Sequence, residues 1–234
     1  DSCIYIGPVA SAPAKRYSGF FDMWACIYHY GGRFRILRSG LVRFDEKGYQ
    51  VAFIPYGIKK ANENMKVIIM AAGVGKRLMP ITKDMHKCMI EISGKPIIRH
   101  QIEAIRSCGI TDIVVVGGYR IDDLKKYLGD SVTFIFNPFY DTTNSVVSLW
   151  LAGRTFDDDA IIINSDVIFD KALLQALIDD KSGITIAVSK KWLPEKGYKA
   201  SIRNGHVVDM GMDLNAADIG GEYAGMVKFN RKSL

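Results

Sequence analysis

The sequence predicts an α/β protein: a mixed, mostly parallel sheet between two helix layers. Three observations carry that reading. From Met65 onward, short apolar runs alternate with segments of helical period, the pattern of a parallel sheet covered by helices. The runs stop at small or polar residues: Gly73 and Gly75 after the first, Gly117-Gly118 after the second, Asn164-Ser165-Asp166 after a later one. Near the end, Asn204-Gly205 separates two short strand-like runs, which signals a hairpin and so an antiparallel edge.

The elements follow in order. Val67 to Met70 is a buried first strand. Lys95 to Cys108 is a helix, with Ile98, Ile102 and Ile105 on one face, Pro96 in its first turn and Gly109 as its stop. Asp112 to Val116 is a strand and Ile121 to Leu128 a short helix. Val132 to Phe136 is a strand closed by Asn137-Pro138, and Asn144 to Ala152 is a helix. Ala160 to Ile163 is a strand, and Lys171 to Ile178 is a helix for which Asp170 is the better-placed cap. Ile184 to Val188 is a strand, Lys199 to Ile202 and His206 to Met210 form the hairpin, and Tyr223 to Phe229 is the last strand. Because ligands of such sheets bind at the carboxyl ends of strands, the three small-residue segments should converge.

Composition narrows the options. Of 234 residues, 48% are hydrophobic and 24% charged, which is globular rather than disordered. No apolar run is long enough to span a membrane. Cys3, Cys26, Cys88 and Cys108 show no C-x-x-C spacing, so zinc and redox motifs find no support and a reduced, cytoplasmic setting is expected. The net charge is +6 and uneven: residues 1–64 hold nine Lys/Arg against five Asp/Glu, the rest 22 against 20. Scattered solvated charge of this kind does not make a nucleic-acid face.

Residues 1–64 read as a partial upstream domain or an extension. Within them Ile4 to Ile6 is a strand running into a turn at Gly7-Pro8, and Phe20 to Tyr30 is helical. Arg35 to Val42 and Val51 to Ile54 are strands, with a turn at Pro55-Tyr56-Gly57. Residues 65–234 read as one functional domain, truncated at its C-terminus.

The chemistry concentrates between Met65 and Pro96. Ala71, Ala72, Gly73, Val74 and Gly75 let backbone N–H groups face an anion without side chains in the way. Lys76, Arg77 and Lys87 add positive charge beside them, which suits a polyphosphate. Gly75-Lys76 is followed by Arg77 rather than Ser or Thr, so this is not a Walker A loop. Leu78 stands where a dinucleotide fingerprint needs its third glycine. Asp166, at the end of an isoleucine run, is a carboxylate that needs a partner or a metal, and Mg2+ is the natural one. The histidines, His29, His86, His100 and His206, show no triad context.

The string A-A-G-x-G-x-R-L-x-P-x-T, followed by Lys87 and by Gly94-Lys95-Pro96, resembles the nucleotidyltransferases that make sugar nucleotides and CDP-alcohols. Within that superfamily the chain resembles choline-phosphate and aminoethylphosphonate cytidylyltransferases, on Gly118-Tyr119, Thr143-Asn144-Ser145, Ser148-Leu149 and Ser165-Asp166. The resemblance implies a Rossmann-like, GT-A-like three-layer fold. It also implies Mg2+-dependent nucleotidyl transfer from an NTP, expected to be CTP, to a small phosphorylated alcohol or phosphonate such as phosphocholine, with release of pyrophosphate. Arg77, Lys87 and Asp166 take the catalytic roles, Asp166 also holding the metal. Ala71, Ala72, Gly73, Gly75, Lys76, Gln101, Gly118 and Tyr119 face the nucleotide. Asn144, Ser148, Tyr198 and Glu222 face the acceptor, with Tyr198 or Trp192 offering an aromatic face to a quaternary ammonium. His86 departs from the proline that relatives carry before the lysine. The second metal-binding aspartate of relatives lies beyond the last strand, and Asp213 and Asp218 read as loop positions. The partners implied are the NTP and the phosphorylated substrate, without nucleic acid or membrane. Two rivals share the sheet: a sugar-1-phosphate nucleotidyltransferase, and a GT-A glycosyltransferase that uses Asp166 as its metal ligand. A third is a non-catalytic nucleotide-binding remnant.

Overall fold

The structure, a computed structural model, describes residues 4–8, 34–35, 65–156, 159–191 and 197–231. The expected helix at Phe20 to Tyr30, the strand at Val51 to Ile54, the turn at 55–57 and Trp192 lie outside the described residues, as does all but the first residue of the strand at Arg35 to Val42. The chain divides into two compact units, one of residues 1–57 with 176–234, the other of residues 58–175. Strands β1 (Ile4–Pro8) and β2 (Phe34–Arg35) belong to the first.

The second unit is the parallel one. Its elements are β3 (Met65–Ala71), the two-residue strands β4 (Glu91–Ile92) and β5 (Lys95–Pro96), helix α1 (Ile97–Ser107), β6 (Asp112–Gly117), α2 (Ile121–Leu128), β7 (Thr133–Phe136), α3 (Ser145–Gly153) and β8 (Asp159–Asn164). The sheet order is β8-β3-β6-β7, every pair parallel. Strand β3 is central. Val67, Ile68 and Ile69 are fully buried, as expected of a strand covered on both faces. The chain runs from β3 to β6 and β7 on one side, then returns as β8 on the other. The order therefore reverses beside β3, and its carboxyl end is a topological switch point, where open α/β sheets bind ligands.

Helix α1 shows how local sequence sets a boundary. Ile98, Ile102 and Ile105 are fully buried in one stripe. Pro96 is the N-cap residue, in extended conformation and paired within β5, one position before the helix rather than in its first turn. At the other end Gly109 takes φ 81, its N–H donates to the Arg106 carbonyl (2.9 Å) and the Ile110 N–H to the Ile105 carbonyl (3.4 Å). That is a Schellman stop, which only a residue tolerant of positive φ accepts readily.

Helix α4 (Lys171–Asp179) carries the chain into the first unit, whose remaining strands are β9 (Ile184–Ser189), β10 (Lys199–Arg203), β11 (His206–Gly211) and β12 (Gly221–Phe229). These pair antiparallel in the order β1-β9-β12-β10-β11-β2. The hairpin sits where expected: Asn204 and Gly205 take φ 50 and 76, the two positive values of a type I′ turn. The expected turn at Gly7-Pro8 is instead the end of β1, Pro8 pairing with Thr185. Strand β1 has β9 alone as neighbour among the described residues, and an edge strand tolerates a proline that cannot donate. Strands of both senses flanked by helices bear out the α/β class, with the parallel pairs gathered in residues 65–164.

Candidate active site

The loop after β3 is shaped by Gly75, at φ 71. A Cβ there would come within 3.2 Å of both Lys87 Cβ and Thr82 Cγ2, so conformation and space both demand glycine. Gly73 is exposed and has open space around it. The Gly75 carbonyl accepts from the Leu78 N–H (2.8 Å) and from the Thr82 hydroxyl (3.0 Å), closing a single 3-10 turn, Lys76–Leu78. Lys76 and Arg77 on that turn are exposed and make no ion pair with another described residue. Ala71 and Ala72 are buried beneath.

Lys87 closes the arrangement. It packs against Gly75 through its Cβ and pairs through Nζ with Asp166 Oδ2 at 2.8 Å. Asp166 stands just past β8 and Gly75 just past β3, and these strands are neighbours. The glycine loop, the lysine and the carboxylate therefore meet at the switch point. Asp166 is free of capping duty: Asp170 caps α4, its Oδ1 accepting from the Leu173 N–H at 2.8 Å.

Tyr119 acts here through the loop. Its N–H donates to the Ala72 carbonyl (2.9 Å), and its hydroxyl donates toward the Thr82 and Lys83 carbonyls at 3.0 and 2.7 Å. Gly118 is needed beside it, because a Cβ would fall 2.4 Å from Tyr140 Cβ and 2.8 Å from the Ala72 carbonyl oxygen. The pair ties the end of β6 to the cationic loop.

Three sequence-predicted residues are committed elsewhere. Gln101 is buried and donates Nε2 to the Asn164 and Val167 carbonyls at 2.8 and 2.7 Å, so it lies under the site rather than open to a nucleotide. Ser148 is buried, its hydroxyl accepting from Asn137 Nδ2 at 2.8 Å, which anchors the segment after β7 and leaves no face for an acceptor. Asn144 is exposed and caps α3, its Oδ1 accepting from the Val146 N–H at 3.0 Å. Tyr198 and Glu222 belong to the other unit. There Glu222 pairs with the buried Lys199 at 2.6 Å, and a Cβ on Gly197 would strike its carboxylate. Asp218 pairs with Arg203 at 3.2 Å. The helical spacing could have flagged two of these burials: Gln101 falls in phase with Ile98 and Ile105, and Ser148 with Leu149 and Ala152.

Beside Lys87 the sequence hides a further pair. His86 is fully buried, its Nδ1 accepting from the Cys88 N–H (3.2 Å) and lying 2.9 Å from Cys88 Sγ. Burial first, then the Lys87 charge, lowers its pKa to about 4. Burial pushes the Cys88 thiol up to about 12, so no nucleophile resides there. A histidine held neutral in the fold and protonated near pH 6.5 when unfolded favours the unfolded chain as pH falls. Its share of the stability is complete above pH 6.5 and is lost down to about pH 4, on the order of 3 kcal/mol. Urea unfolding of wild type and His86→Gln at several pH values checks this: the stability difference between the two should shrink by that amount on acidification. A difference independent of pH would refute it.

Comparison with known proteins agrees with this geometry. Residues 66–198 match the nucleotidyl transferase family. The CTP:phosphoglutamine cytidylyltransferase of Campylobacter jejuni is 38% identical over 189 residues, 73% of this chain and 75% of that one. A choline-phosphate cytidylyltransferase of Streptococcus pneumoniae is 36% identical over 45% of this chain and 46% of its own. Among solved structures, the inositol-1-phosphate CTP transferase of Thermotoga maritima superposes with a TM-score of 0.61 over 73% of this chain and 71% of that one, at 22% identity, a likeness of fold. Loop, fold and sequence converge, and the chain belongs to the nucleotidyl transferase family.

Proposed function

We propose that this protein transfers a cytidylyl group from CTP to a small phosphorylated acceptor. An anionic oxygen of the acceptor's phosphate attacks the α-phosphorus of CTP, the bond to the β-phosphate bridge oxygen breaks, and pyrophosphate leaves. The attacking oxygen already carries its charge, so no general base is required. That agrees with a site whose neighbouring histidine and thiol are buried and neutral. The observation carrying the reading is the meeting of Gly75, Lys87 and Asp166 at one strand-end junction, beside the exposed cations Lys76 and Arg77. Main-chain N–H groups of residues 73–75 bind the phosphate tail, and Arg77 and Lys87 neutralise charge gathering on the α- and β-phosphates.

The donor set fits Mg2+. Among the described residues no cluster of three or more His, Cys, Asp or Glu could hold a metal, which disfavours a dedicated protein cage. One exposed carboxylate beside a phosphate loop matches the habit of Mg2+, which takes one or two carboxylates and fills its shell from phosphates and water. Asp166 would hold the ion, which would supply Lewis-acid stabilisation of the phosphoryl oxygens.

The acceptor follows the relatives. Similarity to the phosphoglutamine enzyme spans about three-quarters of both chains, against under half for the choline-phosphate enzyme, so phosphoglutamine is the first acceptor to try. The test is pyrophosphate release from each of CTP, UTP, GTP, ATP and dTTP against phosphoglutamine, phosphocholine, aminoethylphosphonate and glucose 1-phosphate. Release with CTP and one of the first three supports the reading. Release only with glucose 1-phosphate transfers it to NDP-sugar synthesis, and nucleotide binding without release in any combination overturns it.

A further inference from the structure

Asp166 sits in a four-residue turn, Asn164 to Val167, in which the Val167 N–H reaches back to the Asn164 carbonyl at 3.4 Å. That bond is long, and the Asp166 side chain is exposed, so the turn has little of its own to hold the carboxylate still. The support comes from below. Gln101, on the buried stripe of α1, donates its two Nε2 hydrogens to the carbonyls at both ends of the turn, Asn164 at 2.8 Å and Val167 at 2.7 Å. The donor is 63 and 66 residues away in sequence and 1% exposed. Its other amide atom, Oε1, is buried and has no hydrogen-bond partner among the described residues. Such an atom is costly to bury, so for packing alone an apolar side chain would serve this stripe better. The position gains from the donor end.

We propose that Gln101 is a positioning residue for the reaction: its amide clamps both ends of the Asn164–Val167 turn and so fixes Asp166 against Lys87. This rests on the reading of Asp166 given above. The clamp spans α1 and the end of β8, both packed core elements, so it adds their rigidity to a turn otherwise tied by the Ser165 N–H on the Met70 carbonyl (3.3 Å) and by the Lys87 pair. A carboxylate that must meet phosphate oxygens tolerates little drift, since a displacement of about 1 Å costs on the order of a hundredfold in rate.

Two variants of the full chain test it. Gln101→Met keeps length and bulk but donates nothing. Gln101→Glu offers one O–H donor when protonated and repels both carbonyls when ionised. In unliganded Gln101→Met, hydrogen exchange at residues 165–168 is expected to quicken at least tenfold, with β3 and β6 unchanged. Its kcat should fall between about tenfold and a hundredfold while the KM for CTP stays within about twofold. Gln101→Glu should regain part of its kcat relative to wild type as pH is lowered from 8 to 6, whereas the Gln101→Met ratio stays flat, a pattern that lost packing alone would not give. Unchanged exchange at 165–168 overturns the clamp whatever the activity. Faster exchange there with wild-type kcat overturns its role in turnover. Wild-type turnover in Asp166→Asn would instead sink the site assignment, while the exchange result stands on its own.

Discussion

Asp166→Asn is expected to lower turnover by on the order of a thousandfold while leaving the melting temperature within a few degrees of wild type. The substitution keeps size and shape and removes a charge. Little of the fold depends on that charge: the side chain is exposed, α4 takes its cap from Asp170, and the turn is held through main-chain carbonyls by Gln101. The Lys87 pair contributes little to stability because its acid partner is open to solvent. What is lost is the carboxylate paired with Lys87, which the proposed reading sets against a metal-bound phosphate. The effect should fall on kcat more than on the KM for CTP, since on the proposed reading the loop of residues 73–75 and its cations would still bind the triphosphate. A second readout separates a metal role from a purely electrostatic one. Binding of Mn2+ in the presence of a non-hydrolysable CTP analogue, followed by electron paramagnetic resonance, should weaken at least tenfold. Steady-state rates with the best acceptor check the main claim, and wild-type turnover would remove Asp166 from the chemistry.

Much of this arrangement was legible in the residues. Apolar runs bounded by small residues gave β3, β6 and β8 to within a residue or two, because strands covered on both faces have no reason to alternate. Asn204-Gly205 announced its hairpin, since few other residue pairs accept two positive φ values. The loop was legible too, as glycine beside cations has few structural uses. What stayed hidden is the destination of hydrogen bonds. Gln101, Ser148 and Tyr119 each suggest ligand contact in the sequence, because a polar residue near a motif does so. Periodicity reports which face of a helix is buried, and it puts Gln101 and Ser148 inside. It cannot say that the Asn164 and Val167 carbonyls wait there for Gln101, or the Asn137 amide for Ser148. Tyr119 is a similar case: its hydroxyl reaches the 82–83 backbone only because β6 lies next to β3 and the loop folds back over the strand end. The burial of His86 follows from the same loop, whose tight turns press its ring inward against Cys88.

Arg77→Ala is the second large effect, expected to cost on the order of a thousandfold in kcat/KM. The argument turns on which cations are free. Lys87 is already paired with Asp166, so part of its charge is committed before any nucleotide arrives. Arg77 sits exposed on the 3-10 turn with no acid partner among the described residues, two positions beyond Gly75. Its planar guanidinium presents paired donors to two phosphoryl oxygens in a fixed fork, which a lysine ammonium lacks. Arg77→Lys should therefore recover only part of the loss, keeping the charge and losing the fork. Neither change should unfold the loop. The turn is closed by the Leu78 N–H, the Thr82 hydroxyl and the Tyr119 hydroxyl, all acting on main-chain carbonyls. Lys76→Ala, which removes the neighbouring charge without that geometry, serves as the comparison and should cost about tenfold or less. Single-turnover rates and CTP affinities for the three variants give the answer. If Arg77→Ala and Lys76→Ala lose equal, small amounts, the loop binds phosphate as a diffuse positive patch and no fixed guanidinium takes part in the transfer.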